Sequence, residues 1–338
     1  MKIAVDAFGG DNAPLEIIKG CIDARNEYNI DIILTGDEEK IKSCAKENSL
    51  DISKIEILHA PDVITMEDEA TDIVKAKSQS SMAIGLKAVK DGKADAFASA
   101  GNSGAVVVGA TTIVKRIKGI KRVTFAPIMP KDKGFFILAD SGANTECRPE
   151  MLEQFAIMAN VYIKKVMNIP SPRVGLLNVG TESHKGTAMH QEAYKLLNNN
   201  KSLNFIGNVE AREMPKDGAD VLVADGFSGN IAVKAYEGVA SMLMGKIKGI
   251  FTKNLITKIA AAIVLKEVNK LKKDMDYNEY GGAPIIGASK PVFKIHGSAK
   301  AKTVKNALKL TKAYVESGVI EEITKAVTND ETDRHITT

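Results

Sequence analysis

The chain has 338 residues, 44% of them hydrophobic, and a formal net charge of +4. This length is enough for one large α/β domain or two lobes with a sizeable core. Such a small net charge excludes a polycation whose whole surface attracts nucleic acid, and no run of about 18 apolar residues is present that could span a bilayer.

The amino-terminal sequence and the cysteines indicate the compartment. Asp6 interrupts the apolar stretch that a secretory signal would need. Three cysteines, Cys21, Cys44 and Cys147, are odd in number and lack CxxC spacing, which is typical of a reducing environment without disulfides or a cysteine-rich metal site. We therefore expect a cytoplasmic protein.

Short apolar runs alternate with helical patterns along the chain. The runs that are predicted to be strands are 3–5, 32–34, 55–58, 96–98, 135–138, 174–177, 203–206 and 221–223. The predicted helices include 15–28, 81–90, 150–166, 187–197 and 299–315. This alternation predicts a mostly parallel sheet with helices on both faces, in which ligands bind at the carboxyl ends of the strands. Residues 328–338 are polar and are predicted to form a frayed tail.

Three loops rich in glycine and asparagine, residues 9–14, 100–105 and 140–144, follow predicted strands and precede helical sequence. Glycine lets backbone N–H groups face a bound group, and a helix N-terminus adds partial positive charge. Three such loops predict one anion site, with phosphate as the favoured ligand. The candidate ligands are Gly10, Asp11, Asn12, Gly101, Asn102, Ser103, Gly104 and Asn144. We expect Asn102 and Asn144 to line one pocket.

A fourth strand-to-helix turn, residues 225–230, adds Ser228, Gly229 and Asn230 to the candidates. The Asn230 amide can donate to a carbonyl oxygen or a phosphate, although capping a helix is an equally good role for it. Ser103 and Ser228 stand in sequences that superficially resemble a nucleophile elbow. Ala105 and Asn230 occupy the second glycine position, however, which disfavours a serine hydrolase.

Lys185, beside Gly186 in the loop after the run 174–177, is a candidate ligand for phosphate or an oxyanion. A lone loop lysine is more often an exposed surface residue, so the residue type alone leaves both roles open. His184 and His190 are candidate general bases without metal-ligand spacing to a carboxylate, and we expect no metal site.

Residues 245–273 form a basic amphipathic excursion from the predicted domain. They contain eight lysines and one acid, Glu267, with apolar residues at three- and four-residue spacing. Ordinary surface helices packed on the core would account for this pattern. The charge imbalance slightly favours a helix or hairpin whose apolar side enters an anionic lipid surface.

Taken in order, these blocks resemble one family, the bacterial acyl-ACP:phosphate acyltransferases of phospholipid synthesis (PlsX type). The resemblance extends from Asp6 to about Leu310. It is carried by residues 6–14, 80–82, 94–105, 142–144, 173–178, 185–186, 207–210, 225–230, 281–284 and 296–297. Phe8, Ser141 and Thr181 depart from the family pattern, as does the less basic stretch 71–77, which bears on substrate preference more than on activity.

The resemblance implies a Rossmann-like α/β/α sandwich, with a single catalytic domain over residues 1–327, that forms a homodimer and binds no cofactor. It also implies transfer of a fatty acyl group from acyl carrier protein to inorganic phosphate, giving acyl phosphate for phospholipid synthesis. Lys185 and Asn230 would then hold the phosphate and stabilise the tetrahedral oxyanion, in either assignment. A reactive, apolar product favours peripheral attachment to an anionic membrane, near a membrane glycerol-3-phosphate acyltransferase.

Other functions remain open from the sequence. The first alternative is an enzyme that resembles phosphate acetyl- and butyryltransferases and uses acyl-CoA. A non-catalytic scaffold and a nicotinamide dehydrogenase are weaker, the latter because Gly-x-Gly-x-x-Gly is missing after the first strand. The run 115–122 has no interleaved aromatic residues, which disfavours nucleic acid. We expect its basic residues to attract the acidic carrier protein; they are Lys115, Arg116, Lys118, Lys121 and Arg122.

Overall fold

A computed structural model describes residues 1–274 and 281–337, apart from the side chains of residues 272–274, 329 and 331–337. The strands are β1 Lys2–Asp6, β2 Asp31–Gly36, β3 Glu56–His59, β4 Ala96–Ser99, β5 Thr124–Phe125, β6 Ile128–Pro130, β7 Phe135–Ala139, β8 Arg173–Asn178, β9 Asn204–Glu210, β10 Val221–Val223, β11 Gly282–Ile286 and β12 Val292–Ile295. The helices are α1 Leu15–Tyr28, α2 Glu38–Glu47, α3 Ser81–Lys90, α4 Ser103–Gly109, α5 Pro149–Val166, α6 Ala188–Asn199, α7 Gly226–Thr252, α8 Leu255–Asp274, α9 Ala301–Glu316 and α10 Val319–Thr337.

The strands form two sheets, in the orders β3-β2-β1-β4-β12-β11-β5 and β6-β7-β10-β8-β9. Most neighbouring strands are parallel; the antiparallel pairs are β11–β12, β5–β11 and β6–β7. The mostly parallel α/β architecture predicted from the sequence is therefore confirmed. The sequence pattern did not predict that the strands form two separate sheets. The chain passes from the first sheet to the second between β5 and β6, and these strands are too short to give a periodic pattern of their own.

One hydrophobic core joins the two sheets. It extends from Ile3 on β1 through Phe155 on α5 to Val174 on β8. At its centre three buried rings are in contact: Tyr314 on α9 lies with its ring centroid 5.6 Å from that of Tyr162 and 5.3 Å from that of Phe293. These rings fix β12, which carries Phe293, against helices α5 and α9.

Residues 245–273, predicted to be a basic amphipathic excursion, form the end of α7, a two-residue connection and most of α8, and the two helices contact each other. Helix α10 continues to Thr337 and so covers most of residues 328–338, where the sequence predicted a frayed tail. Two contacts explain why the helix does not end at residue 327. Thr328 donates to the carbonyl of Thr324 at 2.9 Å, and Asp330 accepts from the Asn200 amide at 3.0 Å.

Candidate active site

The loops after β1, β4 and β12, which are neighbours in the first sheet, meet at its carboxyl edge. Gly10 has φ +95°, and a Cβ there would come within 2.8 Å of the Gly297 carbonyl and 2.9 Å of the Ala100 side chain. Asp11 N donates to the same Gly297 carbonyl at 2.8 Å. Glycine is required at position 10 because the three loops approach too closely for a side chain.

A buried carboxylate supports these loops from below. Asp6, at the end of β1, accepts from Ser99 Oγ at 2.7 Å and from Phe8 N at 3.1 Å. Burial raises the pKa of Asp6, although hydrogen bonds from Ser81 and Ser99 act in the opposite direction. Its contacts tie the β1 loop to the β4 loop.

A cavity of about 390 Å³ lies above this edge and reaches helix α7. The predicted site residues that line it are Gly10, Asp11, Gly101, Ser103 and Asn230. Its other polar and charged lining residues are Lys234, Glu237, Lys294, His296 and Ser298. An apolar wall is formed by Met66, Pro127, Ile128, Met129 and Val233. One cavity therefore combines an anion-binding type of floor with surface that suits a hydrocarbon chain.

The end of the second sheet positions Asn230. Asp140, fully buried after β7, accepts from Asn144 N at 2.7 Å and from Phe125 N at 3.1 Å. Burial raises the pKa of Asp140, and hydrogen bonds from Asn144 and Ala143 partly offset this. Gly229 on α7 packs so closely that a Cβ would lie 1.9 Å from the Asp140 carbonyl oxygen. This contact fixes the first turn of α7 and, one residue later, Asn230.

Lys185 lies in the loop after β8 and is not part of the cavity lining. Its amide donates to the Glu182 carbonyl at 3.0 Å, and its carbonyl accepts from Asn178 Nδ2 at 3.2 Å. The next helix, α6, carries His190, whose Nε2 is 3.7 Å from Asp225 Oδ2. Asp225 caps α7 by accepting from Ser228 N at 2.9 Å, so the contact between His190 and Asp225 joins α6 to the start of α7.

The Asp225 carboxylate is held in its charged form. Burial alone would raise its pKa, but the His190 imidazole and the Ser228 hydrogen bond outweigh burial and lower the pKa to about 2. Ser228 thus contributes through its backbone N–H to the cap. The pair of His190 and Asp225 was missed as a unit, because the two residues are 35 positions apart in the sequence.

Three predicted asparagine ligands have their side-chain amides engaged in structural hydrogen bonds. Asn12 Nδ2 donates to the carbonyls of Ser298 and Ala299. Asn102 caps α4 through Ala105 N and donates to the Thr65 carbonyl. Asn144 Nδ2 donates to the Val123 carbonyl at 2.8 Å and to Asp140 at 2.9 Å, and borders a separate cleft of about 380 Å³. Gly104 packs against Ala70, and a Cβ added at position 104 would lie 3.0 Å from the Ala70 Cβ.

Lys294 and His296 line the cavity but were not predicted to be site residues. Burial lowers the pKa of Lys294 to about 8, while the carboxylates of Asp6 and Asp11 raise it. Burial also lowers the pKa of His296, and the nearby Lys294 adds to that effect. Their sequence signal was a short apolar run, residues 291–293, ending in a lysine and a glycine turn. Among the described residues, no cluster of His, Cys, Asp or Glu has the arrangement of a metal site.

Comparisons with known proteins identify the family. The family model described as "Fatty acid synthesis protein" matches residues 1–322. The phosphate acyltransferase of Acetivibrio thermocellus is 45% identical over 98% of both chains, and that of Clostridium novyi is 44% identical over 96% of this chain and 97% of its own. A phosphotransacetylase from Streptococcus pyogenes shares the fold, with a TM-score of 0.65 at 18% identity over 94% of both chains. The chain therefore belongs to the fatty acid synthesis protein family and is, like these relatives, an enzyme of the phosphate acyltransferase type.

Proposed function

We propose that the enzyme transfers a fatty acyl group from acyl-[acyl carrier protein] to inorganic phosphate and supplies acyl phosphate for phospholipid synthesis. The observation that carries the proposal is the cavity itself. Its lining combines a glycine-loop floor with Gly10 and Gly101 and an apolar wall that includes Ile128 and Val233. A site for a phosphate and a fatty acyl thioester needs both kinds of surface.

The reaction needs no protein nucleophile. A phosphate oxygen attacks the thioester carbonyl carbon, the tetrahedral oxyanion collapses with cleavage of the C–S bond, and the proton of hydrogen phosphate passes to the leaving thiolate. Burial raises the pKa of the Cys147 thiol to about 11, which disfavours an acyl-cysteine intermediate at neutral pH. The protein's task is to hold phosphate near the carbonyl and to stabilise the oxyanion.

Lys185 and Asn230 are the proposed catalytic residues. Asn230 lines the cavity and is fixed by the packing of Gly229 on Asp140, so its amide is the better placed donor for the oxyanion. Lys185 lies in the loop after β8, outside the cavity lining, and would reach the reacting groups through its flexible side chain. Lys185→Ala is expected to lower kcat sharply without loss of folding. Turnover near that of the parent enzyme at saturating phosphate would remove Lys185 from the mechanism.

A thiol-release assay tests the function. Acyl carrier protein charged with a fatty acyl group should release thiol only when inorganic phosphate is present, with acyl phosphate as the second product. The same assay with acyl-CoA tests the alternative donor. Faster phosphate-dependent release from acyl-CoA at matched concentrations would favour a phosphate acetyl- or butyryltransferase-like enzyme. Release that ignores phosphate would exclude both.

Carrier-protein docking is proposed at the basic run 115–122. The five basic residues there, Lys115, Arg116, Lys118, Lys121 and Arg122, are exposed. Opposite charge raises the association rate, and salt weakens the effect. Exchanging Lys118 and Lys121 for glutamate should raise the KM for acyl carrier protein several-fold at low salt. An unchanged KM would count against this surface.

Peripheral membrane binding is proposed for the hairpin of α7 and α8. Leu255, Ile256 and Ile263 are 74%, 79% and 80% exposed, beside lysines that favour anionic headgroups. No helix in the described ranges is long and apolar enough to cross a bilayer. Replacing Phe251, Leu255 and Ile259 with glutamate should release the protein from anionic vesicles and leave thiol release in solution intact. Retained vesicle binding would refute the proposal.

A homodimer is proposed as the working form, with a membrane glycerol-3-phosphate acyltransferase as consumer of the product. The exposed apolar side chains of α7 and α8 also suit a second copy of the chain. Sedimentation of the purified protein tests the dimer, and a monomer at micromolar concentration would contradict it. If the triple glutamate variant becomes monomeric but still binds vesicles, the hairpin is the dimer contact and lipid binds elsewhere.

A further inference from the structure

The cavity contains a lysine that the mechanism above leaves without a role. Lys294 is the third residue of β12 and pairs with Ser99 of β4. The residue before it, Phe293, is fully buried and packs edge-on against Tyr314. The core therefore fixes the strand that carries Lys294, and the ammonium does not depend on a mobile loop for its place.

The Lys294 ammonium lies at the glycine-loop floor. Its Nζ donates to the Ala100 carbonyl at 3.2 Å, one residue before Gly101, and also to the Ile295 carbonyl. An ammonium has three N–H donors, so these two bonds leave one for a group in the cavity. Carbonyl oxygens satisfy donors without cancelling the charge, and Asp6 and Asp11 act on it only through space.

Two other lysines are less well placed. Lys234 also lines the cavity, but it is exposed on α7, where water and salt screen its charge. Lys185 lies outside the lining. Lys294 is half-buried, and a charge in such a setting interacts more strongly with an anion than the same charge in water.

We propose that Lys294 binds the attacking phosphate at the floor of the cavity, an inference that rests on the function proposed above. The Lys294 ammonium donates to a phosphate oxygen and offsets its charge, while Asn230 on the opposite helix serves the carbonyl of the thioester. Asp11 acts on this site electrostatically. Its N–H is already bonded to Gly297, and its carboxylate favours the charged form of Lys294 rather than contacting phosphate.

Three variants of the full-length enzyme test this assignment. Lys294→Met removes the charge at similar size, and Lys294→Arg keeps it. Lys290→Met is the matched control, because Lys290 is exposed just before the same strand. Two measurements are made: the KM for phosphate in thiol release, and equilibrium binding of inorganic phosphate by calorimetry, which needs no turnover.

Lys294→Met should raise both the KM and the dissociation constant for phosphate about 10- to 100-fold, the usual loss for a hydrogen bond to a charged group. Lys294→Arg should recover most of this loss, and Lys290→Met should match the parent enzyme. A folded Lys294→Met enzyme with phosphate binding within about twofold of the parent would overturn the proposal. So would failure of Lys294→Met to fold together with normal phosphate binding by a folded Lys294→Gln enzyme.

The two measurements separate this inference from the proposed function. Phosphate binding that depends on Lys294 in an enzyme without phosphate-dependent thiol release would support the phosphate site and refute the reaction. Phosphate-dependent thiol release with unchanged phosphate binding in Lys294→Met would do the reverse.

Discussion

The carboxyl ends of the two sheets present similar sequences but different environments. In the first sheet, Gly10 and Gly101 surround a half-buried lysine, Lys294, that is bonded to carbonyls. In the second, the lysine of the loop, Lys185, lies outside the cavity lining, and the Asp225 carboxylate, in contact with His190, caps the start of α7. Glycine turns at strand ends thus serve two purposes: one end leaves a positive charge free for an anion, and the other positions a helix.

This division suggests a division of chemical labour. Under the proposed function, the first sheet would bind the nucleophile, whereas the second sheet would direct Asn230 at the acyl carbonyl through α7. Substitutions at the first end should then act on the KM for phosphate, and substitutions at the second on kcat.

The largest loss of activity is expected at Gly229, where α7 packs most closely on the loop after β7. In Gly229→Ala the new methyl group would lie 1.9 Å from the Asp140 carbonyl oxygen, so the first turn of α7 must move. A displacement of about 1 Å at a catalytic group can cost about 100-fold in rate, and we expect at least that loss in kcat. Gly238→Ala is the control in the same helix, since a methyl group there meets nothing within 4 Å. Equal activity of the two variants in the thiol-release assay would mean that the contact does not position the site.

Removing the Asn230 amide should lower kcat, whereas removing the Lys294 charge should raise the KM for phosphate. Loss of one oxyanion donor costs about 100- to 1,000-fold in kcat, so Asn230→Ala should lower kcat by roughly that factor with little change in the KM for phosphate. Lys294→Met should show the opposite split. Asn269→Ala, at an exposed position of α8, controls for asparagine removal. A rise in phosphate KM in Asn230→Ala would place phosphate, rather than the carbonyl, next to Asn230.

Substitutions at the amino-terminal ends of the strands in the second sheet should affect stability but not catalysis. Asp220 accepts from Arg173 Nη2 at 2.9 Å and from the Lys131 ammonium at 2.9 Å, where the Lys131 side chain is only 4% exposed. Burial raises the pKa of Asp220, but Arg173 and Lys131 outweigh it and lower the pKa overall. This contribution is present above the unfolded pKa of about 4 and is lost as the pH falls below it. Asp220→Asn weakens these charged hydrogen bonds and should cost about 2 kcal/mol of unfolding free energy at pH 7.

Denaturant melts at pH 7 and pH 3 measure this cost, with Asp132→Asn as the exposed control. The difference from the parent enzyme should shrink at pH 3. A cost that stays the same at both pH values would show that the ionised carboxylate is not what stabilises the fold there. The kinetic constants should not change.

The sequence predicted the fold class and the glycine loops because these depend on local patterns. The strands and helices were predicted from apolar runs that alternate with helical patterns. Gly10 and Gly101 were predicted to be site residues because they lie in turns at strand ends. It could not predict that the amides of Asn12, Asn102 and Asn144 would be engaged by carbonyls and capping contacts, since those partners are set by tertiary packing. The role of Lys294 could not be predicted for the same reason. Strand β12, which carries Lys294, is four residues long and joins the site only by pairing with β4. Lys294 then contacts Ala100, which is 194 positions earlier in the sequence.

The smallest expected effect is a pH dependence of the KM for phosphate, which should come from Lys294 on the first sheet. The Lys294 pKa of about 8 means that the ammonium is mostly charged at pH 7 and only about one-tenth charged at pH 9. The KM for phosphate should therefore rise about tenfold relative to Lys294→Arg over this range, because a guanidinium does not lose its proton. Asp11 after β1, His296 after β12, and Lys234 and Glu237 on α7 line the same cavity, and the buried Asp6 acts on Lys294 electrostatically. These groups and phosphate itself are the same in both enzymes, so the ratio of the two KM values isolates Lys294. A ratio that stays constant from pH 7 to pH 9 would show that the Lys294 charge does not hold the phosphate.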